Sequence, residues 1–165
     1  MEASPRFFVN GWKQGIWDDF LDLHTSTATK GNSSKEFELD ATAMFVYLFI
    51  SLYHQTLEGK ANEDKLQHWK VFIKDNHDKV IKPVVEAILD KLGLVRACRA
   101  FGAVLIDKYD IKTVSFPLKI DNLDRKYEDK IIDALQDKST NKNYMKFFWL
   151  SPWDNILCLP KLIKL

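Results

Sequence analysis

Residues 41–53, Ala-Thr-Ala-Met-Phe-Val-Tyr-Leu-Phe-Ile-Ser-Leu-Tyr, carry no charged side chain. The acidic run Glu36, Glu38 and Asp40 precedes them, so the stretch reads as a helix, and a helix apolar on every side must be buried. At about 1.5 Å rise per residue it is about 20 Å long, short of the roughly 30 Å hydrocarbon core of a bilayer. It is therefore expected to be the hub of a packed core, with no membrane span.

The neighbouring segments read as amphipathic helices that wrap this hub. Phe8, Trp12, Ile16, Phe20 and Leu23 recur at helical spacing, which predicts a first helix with that stripe inward. The polar stretch 25–34 is expected to be a flexible loop. Ser33 with Glu36 has the spacing of a capping box, which would start the second helix near residue 34 and carry it to Leu57 before Gly59. Asn62 is a cap for a third helix with Leu66, Trp69, Phe72 and Ile73 inward. Pro83 opens a short fourth helix that ends at Gly93. A fifth helix is expected over 94–109, an extended segment over 111–120, and a sixth helix from Asn122 with Leu123, Tyr127, Ile131 and Leu135 buried. The expected fold is an all-α, single-domain bundle of about six to eight helices, covering 1–165, around a buried hydrophobic central helix.

The chain has 165 residues, 46% hydrophobic and 28% charged, with five Trp and eleven Phe. That is enough to build an aromatic-rich core without staples. A net charge of +1 gives no bulk attraction to nucleic acid or anionic membrane, so such a partner would need a local patch. Cys98 and Cys158 each lie in an apolar segment, and read as buried thiols of a reducing compartment. The N-terminus lacks a basic segment followed by a continuous apolar run. The expected location is cytoplasmic.

Catalytic and metal motifs are weak. Asp18-Asp19-Phe20-Leu21-Asp22 has the letters of the aspartate-rich motif of isoprenoid synthases, but no second acidic motif accompanies it, and a solvated acidic face is the simpler reading. His54 and Glu58 stand at i, i+4, with His68 and His77 downstream, yet the paired Glu-x-x-His of di-iron bundles is absent. No Gly-x-Ser-x-Gly elbow occurs and neither cysteine has a histidine near it in sequence. The chain is expected to be no enzyme and to need no metal or cofactor.

Binding features are stronger. Residues 144–165 form an apolar C-terminal segment in which Phe147, Phe148, Trp149, Trp153, Leu157 and Leu162 are candidate partner-binding residues, unless the segment docks as a last core helix. Lys65, Lys70, Lys74, Arg96 and Arg99 are the candidate nucleic-acid contacts, offset by Glu63, Asp64, Asp75 and Asp78. The leading expectation is a non-enzymatic protein–protein interaction module or regulatory adaptor, with a hydrophobic groove or the C-terminal segment as its binding surface. The alternatives are a helical nucleic-acid-binding subunit of a ribonucleoprotein complex and a haem or hydrophobic small-molecule binder with His54, His68 or His77 as axial ligand.

Overall fold

Asp40 is the residue on which the central helix is built. Its backbone is extended, and its carboxylate accepts a hydrogen bond from the Ala43 backbone N–H at 2.8 Å, which caps α2 (Ala41–Leu57). The computed structural model describes residues 8, 11–30, 34–136, 147 and 150. Along α2, Phe45, Val46, Phe49, Ile50, Leu52, Tyr53 and Leu57 are buried. The two polar residues buried on α2 are also hydrogen-bonded. Thr42 Oγ1 accepts from the Ile81 N–H at 3.0 Å, and the Thr56 hydroxyl donates to the Leu52 carbonyl at 2.8 Å.

The start of α2 differs from the sequence expectation. Residues 25–30 and 34–39 are two antiparallel strands, β1 (Thr25–Lys30) and β2 (Ser34–Leu39), paired from Thr25 opposite Leu39 to Lys30 opposite Ser34. The stretch expected to be a loop is therefore a strand, and residues 34–39 are not the first turns of a helix. The physical reason is a period of two. Thr25, Thr27 and Thr29 put a β-branched residue at every second position, and Lys35-Glu36-Phe37-Glu38-Leu39 alternates polar and apolar. That pattern outweighs the Ser33/Glu36 spacing, and the cap falls to Asp40. The ladder closes at the base, where the Asp40 N–H donates to the His24 carbonyl at 3.0 Å. There His24 Nδ1 also lies 2.5 Å from the Asp40 carboxylate.

The first helix, α1 (Gly11–His24), keeps only part of the expected stripe. Phe8 and Phe20 are buried and Ile16 packs on the core, but Trp12 and Leu23 are 68% and 84% exposed, while Lys13, Trp17 and Leu21 are buried. The position of Lys13 accounts for part of that difference. Its Nζ lies beside Gly93, 3.5 Å from where a side-chain Cβ would stand. Gly93 is the left-handed cap (φ 71°) of α4 (Lys82–Leu92). A cation at that helix end meets the negative pole of the dipole while its methylene stem packs inside. One lysine thereby satisfies both demands at the contact between α1 and α4.

The next elements follow the sequence closely. Asn62 Oδ1 accepts from the Lys65 N–H at 3.2 Å and caps α3 (Glu63–Asn76), whose Leu66, Trp69 and Ile73 are buried with Phe72 packed beside them. Pro83 sits in the first turn of α4, where a missing N–H costs nothing. The fifth helix, α5 (Val95–Lys108), buries a continuous run from Ala100 to Leu105 and is a second hub beside α2. Residues 111–120 contain a short 3-10 turn, Thr113–Ser115, followed by Phe116 and Leu118 pointing inward.

The expected sixth helix is two pieces. Asp121 and Asp124 form a reciprocal capping box that starts α6 (Asn122–Arg125), and α7 (Glu128–Gln136) follows after Tyr127. The break turns Leu123 out to 58% exposure, whereas Ile131 and Leu135 stay buried as expected. Apart from the hairpin, the described residues form an all-α bundle.

The core is an aromatic cluster around α2. Phe45, Phe49 and Tyr53 succeed one another at i, i+4 and i+8, and meet Trp69 of α3, Phe101 of α5 and Phe116 at centroid distances from 5.3 to 5.9 Å. Phe116 reaches the cluster by lying flush on Gly102. A Cβ at that position would stand 2.3 Å from two of its ring atoms. Phe147 and Leu150 belong to the same hydrophobic cluster.

Candidate interaction groove

Where the hairpin meets the bundle, the surface is concave. Glu38 and Leu39 at the end of β2, Asp40, Ala41 and Met44 at the start of α2, Phe72 and Asn76 of α3, and Lys79 line a half-open groove of about 380 Å³. Helical spacing makes both walls: Ala41 and Met44 are three apart on α2, and Phe72 and Asn76 four apart on α3. Leu39, Ala41 and Phe72 pack their inner sides on the core and turn the remainder toward the groove. The lining is mixed, with Leu39, Ala41, Met44 and Phe72 apolar and Glu38, Asp40, Asn76 and Lys79 polar, so it offers both apolar contact and hydrogen-bonding groups.

Internal hydrogen bonds hold part of that lining in place. Asn76 Nδ2 donates to the Phe72 carbonyl at 3.1 Å. Asp40 divides its oxygens between the α2 cap and His24. The Ile81 N–H bond to Thr42 fixes the chain just beyond Lys79 against the first turn of α2, with the Ile81 side chain exposed. Apart from Lys79, which belongs to the loose basic run from Lys65 to Lys82, none of these groove residues is among the candidates read from sequence. The one signal that points to them is the period-two pattern ending at Leu39, which places a hairpin against the start of α2.

The basic candidates are dispersed. Lys65, Lys74 and Arg96 are exposed. Lys70 lies over the ring of Tyr109 at 5.7 Å, and the Tyr109 hydroxyl donates to Glu63 at 2.8 Å. Burial, with Glu63 adding to it, pushes that phenol up to about 12. Arg99 divides its guanidinium between Asp121 at 2.7 Å and Asp124 at 3.1 Å. The Asp121 carboxyl is held low by the backbone N–H groups of Asp124 and Leu123 together with Arg99, whereas burial lifts that of Asp124. Arg99 lies ten positions before Tyr109 along the α5 axis, about 15 Å at 1.5 Å per residue. The lysines of α3 and the arginines of α5 thus do not converge through these contacts, and Lys70 and Arg99 are already engaged within the fold.

Of the C-terminal candidates, Phe147 is wholly buried, together with Leu150. Phe148, Trp149, Trp153, Leu157 and Leu162 lie outside the described residues, as does Cys158. Cys98 is a free, buried thiol, and burial pushes its pKa well above the usual range. His54 meets the Phe8 ring edge-on at 5.3 Å, while His68 and His77 are exposed. Asp18 accepts from Gln14 at 2.9 Å, and Asp19 and Asp22 face solvent. Among the described residues no three His, Cys, Asp or Glu side chains are grouped to hold a metal ion, and no helix is long and apolar enough to cross a membrane.

A further cluster escapes the sequence reading. Arg125 of α6 donates to Asp107 of α5 at 2.8 Å, and Glu128, which opens α7, is buried. Arg125 and Asp107 are 18 positions apart, too far for helical periodicity to connect them. The chain matches no family profile, no curated protein and no solved structure.

Proposed function

We propose that this chain is a non-enzymatic protein–protein interaction module whose groove between β2, the start of α2 and α3 receives an apolar segment of a partner. The observation that supports the reading is the groove itself: Leu39, Ala41, Met44 and Phe72 line it beside Asn76 and Asp40, whose hydrogen bonds hold them in place. Interfaces of this kind draw their energy from a few buried apolar anchors inside a polar rim.

The test compares affinity capture from native lysate by the wild-type chain and by Met44→Lys, with far-UV circular dichroism to establish that both are folded. Met44 is half-buried at the surface, so a lysine stem fits there while its charge occupies the groove. The expected result is a partner retained by wild type and lost by the variant. Equal retention by the variant, or no partner in either arm, refutes the reading.

A further inference from the structure

The bond from the Asp40 N–H to the His24 carbonyl fixes the phase of the hairpin ladder. His24 and Asp40 are the next partners in the register that sets Thr25 opposite Leu39, so theirs is a hydrogen-bonded rung. In an antiparallel pair such rungs alternate with rungs whose N–H and C=O groups point away from the neighbouring strand. Ser26, Ala28 and Lys30 therefore bond to β2, whereas Thr25, Thr27 and Thr29 turn their backbone groups to the outer edge of β1. The sheet has two strands, and among the described residues β2 is the element that packs along β1.

An open edge is a template for another strand, and folded proteins ordinarily guard it with charge, proline or a bulge. β2 carries Lys35, Glu36 and Glu38. Residues 25–29, Thr-Ser-Thr-Ala-Thr, have neither charge nor proline, and no bulge interrupts their register. A two-stranded hairpin is also marginal alone in water and gains stability from further strands.

We propose that the outer edge of β1 is a self-association surface, on which β1 of a second copy of this chain pairs antiparallel about a two-fold axis at Thr27 and joins the two hairpins in one sheet. The phase of the ladder permits this register. The outward groups of Thr27 meet those of Thr27 in the other copy, and Thr25 faces Thr29 on either side, so free donors meet free acceptors. These rungs set threonine opposite threonine, a favourable cross-strand pair. The same register brings Lys30 of one copy opposite His24 of the other. His24 ends α1, where the helix dipole is negative and Asp22 is exposed. The two-fold axis repeats that match of charge at both ends of the pairing, which favours a second copy over an unrelated strand. The groove lies beside β2 and stays open.

The test is sedimentation equilibrium of the full chain, with far-UV circular dichroism as the control for folding. Wild type is expected at twice the mass of one chain in the micromolar range. Thr27→Lys sets two like charges opposite each other on the axis, and Thr27→Glu does the same with the other sign. Neither removes a bond of the β1–β2 ladder, and each should weaken the dimer by about tenfold or more. An equimolar mixture of the two variants should recover it, because opposite charges then face each other. Met44→Lys, altered in the groove, should remain dimeric. Wild type that stays monomeric throughout the micromolar range, a dimer that both Thr27 variants leave intact, a mixture that fails to recover, or a dimer lost in Met44→Lys overturns the proposal.

Discussion

Substituting Gly102 by alanine sets two well-characterised effects against each other. In the interior of a helix alanine is favoured over glycine by about 1 kcal/mol, and Gly102 lies well inside α5. Against that, the new methyl would stand 2.3 Å from Cε1 and Cζ of Phe116 and 3.0 Å from Cδ1. Carbon atoms in good contact keep about 3.5–4.0 Å, so the ring must retreat by more than about 1 Å. It has nowhere easy to go, because Phe116 is 2% exposed and lies edge-on to Phe45 and Trp69. Overpacking of this kind costs about 1–3 kcal/mol, and loss of the two edge contacts adds about 0.5–1.5 kcal/mol each. The net expectation for Gly102→Ala is a loss of about 1–5 kcal/mol, a fall in Tm of roughly 2–20 °C for a chain of this size.

A second background makes the test decisive. Phe116→Ala alone should cost about 3–5 kcal/mol through the cavity it leaves. Within that background the methyl added by Gly102→Ala enters empty space and the helix preference acts unopposed, so the double variant should be more stable than Phe116→Ala by about 1 kcal/mol. Urea unfolding followed by circular dichroism, with an unchanged m-value, reads both changes. The reasoning fails if Gly102→Ala has the same sign in the two backgrounds.

Asp40→Ala removes the α2 cap and the contact with His24 together, and should lower stability by about 1–2 kcal/mol in denaturant unfolding, with Asp40→Asn recovering part of it. Tyr109 should titrate near 12 in a 295 nm absorbance scan, as the one phenol missing from the Tyr109→Phe difference curve. Because its protonated form is favoured in the fold, its contribution should be intact below about pH 10 and lost by about pH 12. In a Cys158→Ser variant, Cys98 should react with a thiol reagent at least ~10³-fold more slowly in the native chain than in denaturant, because reaction waits for the core to open. A fast native reaction would mean that the α5 face bearing Cys98 is accessible.

How far the sequence can be read depends on the distance over which each feature is set. The cap at Asn62, the stops at Gly59 and Gly93, and the burial of most of residues 41–53 follow from neighbours within a few positions and are present, while Ala41, Met44, Tyr47, Leu48 and Ser51 are only half-buried. In the first helix hydrophobicity alone favours Trp12 inward. The structure instead gives that face to Lys13, whose ammonium finds the end of α4 some eighty positions away. The hairpin escapes the reading because a capping-box spacing hides a period of two, and the sixth helix divides because the Asp121 box supports a single turn before the chain restarts. The groove and the Arg125–Asp107 contact lie between elements distant in sequence, and no local pattern announces them.

Asp40 has a mechanical consequence beyond its cap. One oxygen holds the first turn of α2, the other meets His24 at the last residue of α1, and its own N–H closes the hairpin base. Three elements are thus pinned at one residue. Tilting the hairpin against α2 would have to strain the cap and the His24 contact in the same motion, so the hairpin, α1 and α2 share one point of attachment.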